Sequence, residues 1–372
     1  MKNVLILSTT EGHASIAEAA SEVLAQQGYQ VRVESYEDLA IHLYRWFYRH
    51  FPQAVKVYYH WIRLPGVEAA ISQYARRSHR QAFFHGVNGF NPDMIVSTSY
   101  GYEALICEWR KMHPAGYLNI MVDPRTFFIL NLSENADTNC AFDQKIIEEC
   151  LQVKPKAKTT VTGWFVRERF EAKYSQTKVR KGLGLDHKKF TMLIVSGSEG
   201  EMKSAQIIPH LLDHTDVQVV VACGSNQELF QKMNALKASL TSDSTSTLTV
   251  LPFIPNVHQY MQSADIVVGK AGPNMLFETV ATGTPFFALT HVSGQEDGNL
   301  EIILEKKLGY VEENTPKAVT LLRQIIATPE MLSEFKEPIQ KMAEYNLQSK
   351  QHLLSLVEDF TSPAAVLAHQ SQ

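Results

Sequence analysis

The stretch that most constrains the fold is DIVVGKAGPNMLFETVATGTPFFALTHVSGQEDGN, residues 265–299. Asp265-Ile266-Val267-Val268 is a short apolar run of strand type, and residues 269–272 read as a flexible turn. Pro273 stands where a first helical residue is favoured, because the N–H it lacks has no helical partner there. Met275, Leu276, Phe277, Val280 and Ala281 keep helical spacing, and Gly283-Thr284-Pro285 stops the helix before a second apolar strand at 286–289. Such a strand–turn–helix–strand unit aims a helix N-terminus, with its unpaired amides and partial positive charge, at the carboxyl edge of a parallel sheet. Open α/β sheets bind ligands along that edge, and a diphosphate needs no metal ion to sit there. Glu278 lies a turn and a half into the helix, within reach of ribose hydroxyls beside that diphosphate. Gly294-Gln295-Glu296-Asp297-Gly298-Asn299 follows the next strand and comes to the same edge.

These residues resemble the nucleotide-sugar half of a glycosyltransferase family. It includes bacterial processive diacylglycerol glucosyltransferases, plant monogalactosyldiacylglycerol synthases and the lipid-linked peptidoglycan N-acetylglucosaminyltransferase. The resemblance rests on Lys270-Ala271-Gly272-Pro273, Glu278, Gly283-Thr284-Pro285, Gly294-Gln295-Glu296 and Gly298-Asn299. Asn274 departs from it, since many members carry a further glycine there, and its larger side chain bears on the width of the phosphate turn. The resemblance implies an α/β chain of the GT-B fold, with two facing Rossmann-like doubly wound domains and an interdomain cleft. It implies an inverting transfer from a UDP-sugar with no metal required. Lys270, Gly272, Pro273, Asn274 and Glu278 then bind the donor, with Gln295, Glu296 and Asn299 on sugar hydroxyls or the nucleoside.

Length and composition agree with that outline. A chain of 372 residues predicts two domains on size. Net charge of −4 argues against a nucleic-acid binder, which shows a basic balance. Cys107, Cys140, Cys150 and Cys223 have no paired spacing for zinc or redox work, so a reducing cytoplasm is the default. No run of about 18 uncharged apolar residues exists to span a bilayer. The opening run 4–7 is too short for a signal peptide and is interrupted by Glu11, so it reads as a first strand.

Residues 1–165 read as the first domain. A strand at 4–7, a helix at 14–27 closed by Gly28 and a strand at 31–33 make a βαβ opening. The turn between, Ser8-Thr9-Thr10-Glu11-Gly12-His13, resembles the family's glycine-rich loop ending in Gly-His, with the other glycines lost. His13 is a candidate to bind the acceptor or take its proton, since imidazole titrates near neutrality; the plainer alternative is a histidine bonded to its own turn. Asp123, after a strand at 118–122, either supports His13 and the acceptor or caps a helix.

Residues 41–90 interleave aromatics with cations, and Glu68 is the one acid facing seven arginines and lysines from Arg45 to Arg80. Arg45, Trp46, Phe47, Arg49, Trp61 and Arg63 suit a membrane interface, with rings at headgroup level and cations on anionic lipid. An aromatic core helix with a solvated basic face is the competing explanation. The expected location is cytoplasmic, peripheral on the inner face of the cell membrane, with a lipid acceptor such as diacylglycerol.

The second domain is expected at 166–345, with a last helix near 346–360 packing back on the first. Its first strand, 192–195, runs into Ser196-Gly197-Ser198-Glu199-Gly200 and a helix from Met202. Gly197, Ser198 and Glu199 resemble the family's phosphate-side loop. Phe253 and Ile254 end another strand, where the family's backbone meets the uracil ring; packing into the core explains the side chains equally well. Three rivals remain: a transferase with a soluble or polyprenyl-linked acceptor, a nucleotide-sugar 2-epimerase of the same fold, and a non-catalytic nucleotide-sugar-binding regulator.

Overall fold

The computed structural model describes residues 2–9, 12–36, 66–126, 129–196, 203–213, 216–241 and 245–361. Arg45, Trp46, Phe47, Arg49, Trp61 and Arg63 lie outside the described residues, as do Gly197, Ser198 and Glu199. The chain divides into two compact units. Unit 1 is Met1–Arg167, Ser293–Gln295 and Tyr345–Gln372, and unit 2 is Glu168–Val292 and Glu296–Glu344.

Among the described residues, unit 1 is built on six parallel strands: β1 (Asn3–Ser8), β2 (Gln30–Ser35), β3 (Met94–Ser97), β4 (Gly116–Ile120), β5 (Thr138–Ala141) and β6 (Thr159–Val161). Their order is β2-β1-β3-β4-β5-β6. Val4 to Leu7 of β1 are fully buried, which is why the strand reads as an unbroken apolar run. Helix α1 (Gly12–Gln26) carries the chain from β1 out to β2, and Gly28, at φ 83°, makes the left-handed turn that lets it return. Helix α2 (Val67–Phe90) then leads to β3 on the opposite side of β1. The strand order therefore reverses between β1 and β3. The core gathers Phe83, Tyr102, Trp109 and Tyr117. Two of their polar tips are satisfied: Tyr102 OH donates to the Ser8 carbonyl at 2.8 Å, and Trp109 Nε1 to Asn88 Oδ1 at 2.8 Å.

Unit 2 repeats the plan with β7 (Phe190–Val195), β8 (Val217–Ala222), β9 (Thr247–Leu251), β10 (Ile266–Lys270), β11 (Phe286–Thr290) and β12 (Gly309–Val311). All neighbours are parallel, in the order β12-β11-β10-β7-β8-β9, so here the reversal lies between β7 and β10. Asp265 fixes the start of β10 by accepting from Thr191 N and Arg180 Nη2, each at 2.7 Å. Helix α3 (Pro273–Ala281) follows β10, and α4 (Asp297–Glu305) follows β11.

Two local readings change. Gly269 and Lys270 belong to β10 rather than to a turn, and the register with β11 shifts between them. A Cβ on Gly269 would stand 2.8 Å from the Val195 carbonyl oxygen, so the strand continues there only because the side chain is absent. Within the described residues, the helix expected from Met202 is a 3₁₀ turn, Ser204–Ile207, followed by Ile208–Leu212. Pro209 has no N–H for a bond to the preceding turn, which accounts for the change of winding.

The last described helix, α5 (Lys336–Thr361), begins in unit 2, and from Tyr345 on it belongs to unit 1. Asn346 Oδ1 accepts from Trp164 N at 3.0 Å, Tyr345 OH donates to the Phe142 carbonyl, and Lys2 Nζ donates to Thr361 Oγ1 at 2.8 Å. Leu353 and Val357 of the same helix are fully buried.

Candidate functional site

The two order reversals place a crevice at the carboxyl ends of β7 and β10 in unit 2 and of β1 and β3 in unit 1. That is where doubly wound sheets bind ligands. In unit 2 the reversal is occupied by the head of α3. Pro273 starts the helix and has no N–H, and the Gly272 amide donates to the Lys270 carbonyl at 2.7 Å. The Gly272 amide is therefore engaged within its own turn, and Pro273 has none to offer.

The second motif braces this head. Lys270 Nζ pairs with Glu296 Oε1, and Val292 N donates to Glu296 Oε2 at 2.7 Å. Glu296 is 4% exposed, so its charge is held inside the fold by one ammonium and one amide. A carboxylate has about four acceptor positions, which leaves it capacity for hydroxyl donors. Asn299 Nδ2 donates to the Ala271 carbonyl at 2.8 Å, fastening the turn between β10 and α3. Asn299 Oδ1 is buried with no hydrogen-bond partner, as is Ser196 Oγ at the end of β7. Glu278 is buried within α3. The structure thus brings Lys270, Gly272, Pro273, Asn274, Glu296 and Asn299 together. Phe253 and Ile254 follow β9, three strands away from β10 on the same rim, and Phe253 is 68% exposed.

In unit 1, His13 is the second residue of α1, and its Nδ1 bonds the carbonyl of Thr98, the residue after β3. A carbonyl only accepts, so Nδ1 carries the hydrogen and the neutral ring keeps its acceptor lone pair on Nε2. That is the tautomer a base requires. The Thr98 hydroxyl meets Ser8 Oγ at 3.1 Å, so His13, Ser8 and Thr98 fasten the crevice between β1 and β3. Asp123 is buried beyond β4, where Asn131 Nδ2 donates to its Oδ2. Gln295, whose segment groups with unit 1, donates from Nε2 to Asp123 Oδ1 at 3.4 Å. Asp123 and His13 stand beyond different strands, with β3 between β1 and β4.

Sequence reasoning passed over Thr98 and named Ser196 only as the start of a loop. Each directly follows an apolar strand that flanks a reversal, and that position was the available signal. Among the described residues no group of three or more His, Cys, Asp or Glu side chains is arranged to hold a metal ion. Among them, too, no helix is long and apolar enough to cross a membrane. Burial pushes the thiols of Cys140 and Cys150 up to about 12, and those of Cys107 and Cys223 to about 11, which leaves them poor nucleophiles.

Comparison with known proteins agrees with the fold. Residues 191–353 match the glycosyltransferase family 28 C-terminal domain. The processive diacylglycerol beta-glucosyltransferase of Bacillus subtilis (strain 168) is 24% identical over 263 residues, which cover 69% of this chain and 66% of that protein. A probable chloroplastic monogalactosyldiacylglycerol synthase of Nicotiana tabacum is 26% identical over 157 residues, 40% of this chain and 28% of that protein. The matched stretch thus spans just under two thirds of the Bacillus relative. The crystal structure of Acinetobacter baumannii MurG superposes with a TM-score of 0.62 at 18% identity, covering 96% of this chain and all of that one, and shows the GT-B fold. With the domain match, the relatives and the fold in agreement, the chain carries a glycosyltransferase family 28 C-terminal domain and has homology to the processive diacylglycerol glucosyltransferases and the monogalactosyldiacylglycerol synthases.

Proposed function

We propose that the protein is an inverting hexosyltransferase that moves a sugar from UDP to the hydroxyl of a lipid, diacylglycerol being the leading acceptor. The observation that carries this reading is the gathering of Lys270, Gly272, Glu296 and Asn299 around the head of α3, at the strand reversal of a family 28 domain. The partial positive charge of a helix head favours a diphosphate, and it favours it more as the leaving group gains charge. Glu278 binds the ribose, Gln295 and Glu296 bind sugar hydroxyls, and no divalent cation takes part. The acceptor oxygen forms a bond to the anomeric carbon while the bond from that carbon to the diphosphate oxygen breaks. UDP leaves with the electron pair, and the hydroxyl proton passes to His13 Nε2.

The names of the Bacillus and tobacco relatives support the lipid acceptor, and the run of arginines and aromatics at 45–63 supports a peripheral place on the cytoplasmic membrane face. The test is UDP release by the purified protein against a panel of UDP-sugars, with and without diacylglycerol in anionic vesicles. Release that depends on both donor and lipid supports the proposal. Release with a water-soluble acceptor alone removes the lipid, and conversion of the donor without any acceptor makes the protein an epimerase. His13→Gln is expected to lower turnover about a hundredfold or more, the usual worth of a proton-transfer group, with donor affinity kept. Wild-type turnover in that variant excludes His13 as the base.

A further inference from the structure

His291 follows β11 directly and is 16% exposed. Its Nδ1 lies 2.8 Å from Glu313 Oε1, and its Nε2 lies 2.9 Å from Asp297 Oδ1. Carboxylate oxygens only accept, so both bonds exist together only when both ring nitrogens carry hydrogen. Asp297 is the first residue of α4, and Glu313 comes from the segment that follows β12. One step further into the turn, Val292 and Glu296 are joined twice. The Glu296 amide donates to the Val292 carbonyl at 2.8 Å, and the Val292 amide donates to Glu296 Oε2 at 2.7 Å. The imidazole therefore forms an outer ring of bonds around the base of the turn that sets Glu296, and Glu313 ties that ring to the neighbouring strand.

We infer that His291 is a positioning residue for the sugar-nucleotide site. It holds the turn from Val292 to Glu296 in the geometry that presents Glu296 beside the head of α3, and thereby sets donor affinity without touching the reacting atoms. The inference rests on the reading of Gln295 and Glu296 as donor ligands. It assigns donor affinity to a side chain outside both motifs and to two carboxylates, Asp297 and Glu313, that act through it.

The test uses the full chain. His291→Phe keeps a ring of similar bulk and removes both bonds, while His291→Arg supplies a planar fork of donors that reaches two acceptors. Glu313→Gln weakens one arm from the partly exposed side and serves if the phenylalanine variant does not fold. Two readouts are taken: amide hydrogen exchange over residues 292–299 against the strands of unit 2, and the split between KM and kcat for UDP-glucose with lipid vesicles. In His291→Phe, exchange over 292–299 is expected to speed about tenfold and KM for the donor to rise about tenfold, equivalent to about 1.4 kcal/mol. Saturated turnover stays near wild type, His291→Arg recovers most of both losses, and Glu313→Gln falls between. Unchanged exchange over 292–299 overturns the inference. So does faster exchange with an unchanged KM, or uniform loosening of unit 2 that arginine does not reverse. If the wild-type protein releases UDP from no donor, the proposed function fails by itself, and the exchange measurement alone still decides whether His291 holds the turn.

Discussion

Replacing Lys270 by Met removes the cation from a buried pair and leaves the Glu296 carboxylate inside unit 2 with the Val292 amide as its remaining described donor. Breaking a fully buried pair costs about 3–5 kcal/mol because a charge is stranded, whereas an exposed pair is worth about 0–1 kcal/mol. The Lys270 side chain is 26% exposed and that of Glu296 5%, so the cost lies between these limits, at about 2–3 kcal/mol. Adding Glu296→Gln removes the stranded charge, so the double variant should lose less than the sum of the single ones, with a coupling of about 1.5–3 kcal/mol. A two-unit chain has no single unfolding free energy, and all four tryptophans, Trp46, Trp61, Trp109 and Trp164, precede residue 168. Tryptophan fluorescence therefore follows unit 1, and the suitable assay is hydrogen exchange of the slowest amides in β10 and β11. Lys270→Met should speed them about 30- to 150-fold, at 1.4 kcal/mol per tenfold. A change below about threefold, or strict additivity in the cycle, refutes the argument that Lys270 neutralises Glu296.

Gly269→Ala places a methyl group 2.8 Å from the Val195 carbonyl oxygen, backbone against backbone. It should destabilise unit 2 by about 1–3 kcal/mol, read by the same exchange assay; wild-type protection of β7 and β10 amides would contradict it. The four thiols should resist a disulfide reagent at neutral pH in the folded protein and react on unfolding, with the partly exposed Cys107 first. Rapid labelling of Cys140 or Cys150 in the native state would show that burial does not hold their protons. The hydrogen bond from Arg80, with that from Arg76, holds the Glu108 carboxyl below the usual glutamate range. A lowered value means stability that is present above the usual glutamate range and lost as pH falls through the lowered one. Both arginines are more than half exposed, so Glu108→Gln should cost under about 1 kcal/mol near neutrality, and the gap should close in acid. Melts followed by tryptophan fluorescence, which reports on unit 1, would show it, and a gap that persists in acid rules out the ion pair as its source.

The elements that frame both crevices are legible in the sequence because parallel strands buried on two faces leave long apolar runs, as at 4–7, 192–195 and 266–268. The start of α3 is legible because Pro273 marks a first helical residue. What side chains do with one another is not legible at that level. Lys270 meets Glu296 only once β10 and β11 are side by side in a particular register, and no local pattern encodes that meeting. The same holds for His291 between Asp297 and Glu313, which come from two different connections. Gly269 reads as a turn residue because glycine usually breaks strands, and the opposing Val195 carbonyl that demands it is distant in sequence.

Because α5 ends in the first unit, that unit is assembled from stretches on either side of the second, which takes all but three residues between 168 and 344. On a ribosome, the Trp164 amide and the Lys2 ammonium wait for acceptors that have not yet been translated. The later-encoded half is thus the first able to mature, the reverse of the order in which tandem domains usually emerge.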